Sequence, residues 1–124
     1  MSIDFSKFDP DSASDLAKAI VGEIESLGKD WWGTNSSEIE GYILSLAEAA
    51  FQTKVSLEAG TITEKQADRR MHMQEMALES TLKYADFVTA ALAQKIVNTA
   101  FEIIGHLILK KTNLNLFPEL ISSE

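Results

Sequence analysis

The chain has 124 residues, which suits one domain and excludes two. Hydrophobic residues make up 45% and charged residues 24%, so wholesale disorder is excluded, and the absence of cysteine excludes disulfide scaffolds and thiolate metal sites. The 19 acidic and 11 basic residues give a net charge of −8, which argues against binding to nucleic acids or anionic membrane surfaces.

Targeting signals and membrane spans are not expected. The first ten residues are acidic and contain no apolar core of the length that a signal peptide needs. The most apolar stretch, residues 85–109, is interrupted by Asp86, Lys95 and Glu102, and charges are costly inside a bilayer. We therefore predict no membrane span and a cytoplasmic location.

The first predicted helix covers residues 10–27. Asp9 is a suitable N-cap, Pro10 suits the first helical position, and Gly28 supplies a stop. Apolar residues recur within it at the three and four spacing of an amphipathic helix. Residues 29–34 are then expected to form a connection.

A second helix is predicted over residues 36–59 and a third over residues 62–111, followed by an irregular docked tail, residues 112–124. The third helix is long because no breaker occurs before Gly105, and it would span about 70 to 75 Å. The alternative is a break near Gln94 or Gly105, which would give a compact four- or five-helix monomer.

The tight turn at residues 60–61 predicts an antiparallel hairpin of the second and third helices. Facing positions should then have residue numbers that sum to about 121, and three apolar pairs satisfy this sum. The pairs are Ala50 with Met71, Ile43 with Leu78, and Ile39 with Leu82. The predicted fold class is all-α.

Beyond residue 85, the predicted third helix has apolar residues on more than one face, and the first helix can cover one of them. Leaving a second stripe in water would forfeit roughly 1.5 to 3 kcal/mol for each side chain. We therefore expect self-association, or docking on another protein. The candidate interface residues are Trp31, Trp32, Phe87, Leu92, Ile96, Val97, Phe101, Ile104 and Ile108.

Chemistry-bearing residues are few. His72 and Glu75 lie three apart, with Glu48 near them in the hairpin register, but the order does not fit a di-iron motif. Glu102 and His106 are four apart, which is also the wrong spacing. No nucleophile lies beside a base and no phosphate-binding loop is present, so we expect no metal, no cofactor and no enzymatic activity.

Two local features remain open. Lys65, Arg69 and Arg70 form a basic cluster that could hold an anionic ligand, although the acidic residues interleaved with them favour a solvated salt-bridged face. The methionines Met71, Met73 and Met76 suit either core packing or an adaptable binding surface.

The sequence therefore predicts a non-enzymatic helical structural or interaction protein that acts as a homo-oligomer. Such a profile suits a phage or bacterial accessory or virion component. One alternative is an acidic inhibitor or adaptor of a host protein, because residues 1–60 hold 11 acidic and 4 basic side chains. Another is a binder of a small anionic, nucleotide-like ligand at an oligomer interface.

Overall fold

The all-α fold class is confirmed by a computed structural model, which describes residues 3–27, 29–83 and 88–121, with the backbone alone for residues 29–35. Its helices are α1 (Ala13–Leu27), α2 (Lys29–Glu58), α3 (Glu64–Lys83) and α4 (Ala90–Thr112). Within these residues, no helix combines the length and the apolarity that crossing a bilayer requires.

The helices pack around a central pair. α2 and α4 contact each other, and each also contacts both α1 and α3. Within the described ranges α1 and α3 do not touch, so they lie on opposite sides of the α2–α4 pair. Ten of the 23 residues of α4 are buried, a larger share than among the described side chains of α1, α2 or α3.

The single long helix predicted over residues 62–111 is wrong. α3 ends at Lys83, and Val88 and Thr89 are not helical. Thr89 is the N-cap of α4, with extended backbone angles (φ −72°, ψ 158°), and its hydroxyl accepts a hydrogen bond from the Leu92 amide at 3.1 Å. The break therefore falls before both of the positions considered, Gln94 and Gly105.

The N-terminal boundaries also differ from the prediction. α1 begins at Ala13, because the Ser12 hydroxyl accepts a hydrogen bond from the Asp15 amide at 3.1 Å and thereby caps the helix. Asp9 does not cap it, since its carboxylate pairs with Lys111 at 2.7 Å. The connection predicted over residues 29–34 is instead the first part of α2.

The predicted hairpin pairs agree with the observed burial. α2 packs against α3, and all six side chains of the three pairs are at most 6% exposed. A cavity of about 130 Å³ between the two helices is lined by Tyr42 and Leu46 on one side and by Leu78 and Thr81 on the other. This lining is compatible with the antiparallel register that the sequence predicts.

The segment after α4 folds back over that helix. Asn113 adopts the left-handed conformation (φ 62°) and its amide donates to the Leu109 carbonyl at 2.8 Å, which ends the helix. Leu116, Phe117 and Ile121 are then buried against the bundle. Gly105 permits this approach, because a Cβ at that position would collide with the Ile121 side chain.

The segment before α1 packs on the C-terminal half of α4, where the segment after α4 also packs. The Phe5 ring stacks on His106 with centroids 3.8 Å apart, and Lys110 donates a hydrogen bond to the Phe8 carbonyl at 2.9 Å. Together with the Asp9–Lys111 ion pair, these contacts fix residues 5–9 on α4.

We predict a pH-dependent contribution from the Asp9–Lys111 pair. The hydrogen bond from Lys111 holds the pKa of Asp9 below its ordinary value of 3.8. The stabilisation is therefore present above the pKa of the unfolded chain and is lost as the pH falls through the lower folded-state pKa. Asp9→Asn should melt at a lower temperature than the wild type near neutral pH, and the difference should vanish between about pH 5 and about pH 2.

The measurement is thermal denaturation across this pH range, with Glu48→Gln as a control that removes an exposed carboxylate elsewhere. A difference between Asp9→Asn and wild type that persists undiminished at the acidic end would contradict this assignment.

Candidate functional site

The candidate interface residues of the last helix lie inside the bundle. Leu92 is half-buried against the core. The other candidates in α4 are at most 1% exposed: Ile96, Val97, Phe101, Ile104 and Ile108. Phe87 and the side chains of Trp31 and Trp32 lie outside the described residues.

The apolar faces that the sequence analysis assigned to a second copy are thus covered within one chain. If residues 62–111 formed one continuous helix, its second half would extend away from the other helices. Because α4 is a separate helix, α1, α2, α3 and the C-terminal segment all pack against it. The buried α4 residues are therefore not available for self-association in this fold.

Two of the three methionines are on the surface instead. Met71 is fully buried, whereas Met73 is 63% exposed and Met76 is 65% exposed. Ala77 and Ser80 are exposed beside them on the outer face of α3. We call Met73, Met76, Ala77 and Ser80 the methionine strip, which contains no charged side chain.

The basic cluster does not form an anion pocket around Lys65. Lys65, Arg69 and Arg70 are all exposed on α3. Lys65 lines a groove of about 350 Å³, but Glu64 and Asp68 line the same groove. Two carboxylates beside one ammonium group make this groove more attractive to a cation than to an anion.

A second groove lies between α1 and α2 and has a volume of about 430 Å³. Its apolar lining comes from Ala17, Val21 and Leu44, and Leu44 is 41% exposed. Glu25, Glu40 and Lys18 also line this groove, which therefore combines apolar contact area with two carboxylates and one ammonium group.

His72 lies where α3 meets the C-terminal segment. Its Nδ1 atom is 3.1 Å from Glu75 Oε1, and its Nε2 atom is 3.2 Å from the carbonyl oxygen of Leu116. Nε2 is also 3.3 Å from Asp68 Oδ1. The ring packs on Phe117 with centroids 4.9 Å apart. This histidine therefore links α3 to the segment that follows α4.

The surroundings of His72 favour its charged form. Burial alone lowers its pKa, but the hydrogen bond with Glu75, the charge of Asp68 and the Leu116 carbonyl together outweigh burial. The resulting pKa of His72 is above its ordinary value of 6.5.

Glu119 completes a cluster with His72 and Glu75. One ligand atom from each of the three residues lies within 4.8 Å of the other two. These are the residues among those described that could hold a metal ion. Glu48, the carboxylate expected near His72, is not part of the cluster. Glu119 follows Glu75 by 44 residues, and no spacing in the sequence connects the two.

His106 is engaged differently from the predicted Glu102–His106 pair. The ring stacks on Phe5 at an interplanar angle of 14° and so helps to hold the N-terminal segment. Glu102 lines a separate groove with Glu23 and Thr99. Comparison with protein-family models, with curated proteins and with solved structures finds no match to this chain.

Proposed function

We propose that this chain is a non-enzymatic helical interaction protein that self-associates through the methionine strip and can bind a further protein. The observation that carries the proposal is the exposure of Met73 and Met76, 63% and 65%, on one uncharged face of α3. Methionine is flexible and polarisable, so it adapts to an apolar partner at little steric cost. Large apolar side chains that are exposed close together on one helix are typical of contact sites.

The absence of enzymatic activity belongs to the same proposal. Among the described residues, the hydrogen-bond partners of His72 are two carboxylates and a carbonyl, and His106 stacks on a phenylalanine. Neither histidine is beside a hydroxyl that it could activate as a nucleophile in these contacts.

A second copy is the simplest partner for the strip. Two strips that meet about a twofold axis would place Met73 and Met76 of both chains in one contact, because an isologous interface uses the same surface twice. Fully burying an exposed methionine contributes roughly 1.5 to 3 kcal/mol, and these side chains are already about one third buried, so four of them contribute about 4 to 8 kcal/mol. Association itself costs about 4 to 15 kcal/mol, so we expect a weak, concentration-dependent oligomer.

The test is the solution mass by light scattering over a wide range of protein concentrations. The mass of the wild type is expected to rise with concentration, and the double variant Met73→Glu with Met76→Glu is expected to remain monomeric. A matched control, Gln52→Glu with Val55→Glu, adds the same charge at exposed positions of α2 and should behave as wild type. A wild type that stays monomeric throughout, or a strip variant that associates normally, would overturn the proposal.

An acidic adaptor is the second candidate, and the groove between α1 and α2 favours it. Its apolar lining with Glu25 and Glu40 suits a helix that has basic and apolar faces. Such an adaptor should bind its target less tightly as salt is raised, and Glu25→Lys with Glu40→Lys should abolish the binding.

We also propose a cytoplasmic location and a phage or bacterial accessory role, which rest on the sequence profile.

A further inference from the structure

The imidazole of His72 is surrounded by hydrogen-bond acceptors. Glu75 Oε1 faces Nδ1 at 3.1 Å, while the Leu116 carbonyl and Asp68 Oδ1 face Nε2 at 3.2 and 3.3 Å. A neutral imidazole has one N–H group and can satisfy one of these sides. If the hydrogen is on Nε2, a nitrogen lone pair on Nδ1 points at a carboxylate oxygen. A proton or a metal cation on the Nδ1 side removes this repulsion.

The Nε2 side has the arrangement that orients histidine ligands in metal sites. Such a histidine usually donates its second ring N–H to a backbone carbonyl or a carboxylate, which fixes the ring and leaves the other nitrogen for the metal. Here the Leu116 carbonyl and Asp68 supply those acceptors. The Phe117 ring, which is buried, packs on the imidazole and limits its rotation further.

The spacing of the ligand atoms also fits a small cation. Ligand atoms about 2.1 Å from a tetrahedral ion lie about 3.4 Å from one another. Nδ1 of His72 and Oε1 of Glu75 are already 3.1 Å apart. Glu119 offers a carboxylate oxygen within 4.8 Å of one ligand atom of each of the other two residues, and this exposed side chain can close the remaining distance by rotating.

The local charge favours a cation as well. Asp68 contacts His72, and it lines the neighbouring groove together with Glu64 and Lys65. With Glu75 and Glu119, four carboxylates lie in this region, against Lys65 and the exposed Arg69 and Arg70 that follow Asp68 on α3, so negative charge is in excess by one. Nearby acidic groups outside the set of ligands strengthen the attraction for a divalent ion over a monovalent one.

We propose that His72, Glu75 and Glu119 bind one divalent transition-metal ion of the zinc class. One imidazole nitrogen with carboxylate oxygens is a ligand set that suits Zn²⁺ better than Mg²⁺ or Ca²⁺, which prefer oxygen alone. Two ligands come from α3 and one from the C-terminal segment, so the ion fastens that segment to the bundle. Three protein ligands leave a further position for water. This inference does not depend on the proposed function.

The test is calorimetric titration of the full chain, first stripped with a chelator, with zinc chloride. We expect one ion per chain, and a Zn²⁺-dependent rise in melting temperature, because the ion binds the folded state. Glu119→Gln should weaken Zn²⁺ by about tenfold or more while leaving the metal-free melting temperature unchanged, since Glu119 is exposed. The matched control Glu64→Gln removes an exposed carboxylate of the same region and should change the affinity by less than about threefold.

Two further measurements keep the proposal falsifiable. A chain loaded with Co²⁺ should show visible absorption that His72→Gln abolishes, which reports coordination by the imidazole even where the variant is less stable. Millimolar Mg²⁺ should not displace Zn²⁺. Any of three results would overturn the site: absence of Zn²⁺ binding, equal binding by wild type and Glu119→Gln, or displacement of Zn²⁺ by Mg²⁺. The last two results would mean that acidic surface groups in general hold the ion.

Discussion

Replacing Phe117 by alanine is expected to lower the free energy of unfolding by about 3 to 5 kcal/mol. The side chain belongs to a segment without regular helix, yet it is fully buried. Its ring packs on Phe101 with centroids 5.3 Å apart and on His72 at 4.9 Å. Alanine would leave a cavity between α4, α3 and the C-terminal segment, and it would remove the largest contact that holds this segment.

The measurement is urea denaturation followed by circular dichroism. Gln52→Ala is the control, because it truncates a side chain at an exposed position outside the methionine strip and should change the stability by no more than about 0.5 kcal/mol. If Phe117→Ala leaves too little folded protein for analysis, Phe117→Leu should lose clearly less, about 1.5 kcal/mol. A Phe117→Ala protein as stable as wild type would show that the segment is not docked.

Replacing Ile104 by alanine is expected to lower the free energy of unfolding by about 2 to 5 kcal/mol without a change in oligomeric state. Ile104 is fully buried within a single chain. If Ile104 were an interface residue, as the sequence predicts, its truncation would instead weaken association and leave the stability of the monomer nearly unchanged.

Both quantities can be measured on the same sample, stability by urea denaturation and mass by light scattering. Lys95→Ala serves as the control on the same helix, since this side chain is exposed. Loss of mass with unchanged stability in Ile104→Ala would restore the interface interpretation.

The local parts of the fold could be predicted from the sequence. Apolar periodicity identified most of the helical residues, and the positions whose numbers sum to about 121 are all buried, on two helices that contact each other. Gly60, with φ 73°, ends the α2 region where the sequence placed the turn. The helical periodicity and the turn depend on residues close together in the chain, and the expected register of the hairpin follows from the position of that turn.

The break between α3 and α4 was missed because its signal is weak. Thr89 caps α4 through a single hydrogen bond to the Leu92 amide, and the residue three positions on is leucine rather than the glutamate or glutamine of a capping box. Because the third helix was predicted to be continuous, the apolar faces of its second half had no other helix to cover them. Ile104 and its neighbours were therefore predicted to lie at an interface.

The candidate metal site was missed for a different reason. His72 and Glu75 were recognised as a pair on one helix face, but their third partner depends on how the chain folds back after α4. Asn113 makes that reversal, and Gly105 gives Ile121 and Phe117 room to lie on the helix. No spacing rule connects Glu119 with His72, so this contact follows from packing alone.

The position of α4 in the chain has a consequence for biosynthesis. It is synthesised after α1, α2 and α3, and each of these three helices packs against it. Until it emerges, the apolar faces of α1, α2 and α3 that pack on α4 in the finished bundle lack their covering. We therefore expect the chain to fold in one late step rather than helix by helix, and a nascent chain arrested before Ala90 to be a substrate for chaperones and proteases.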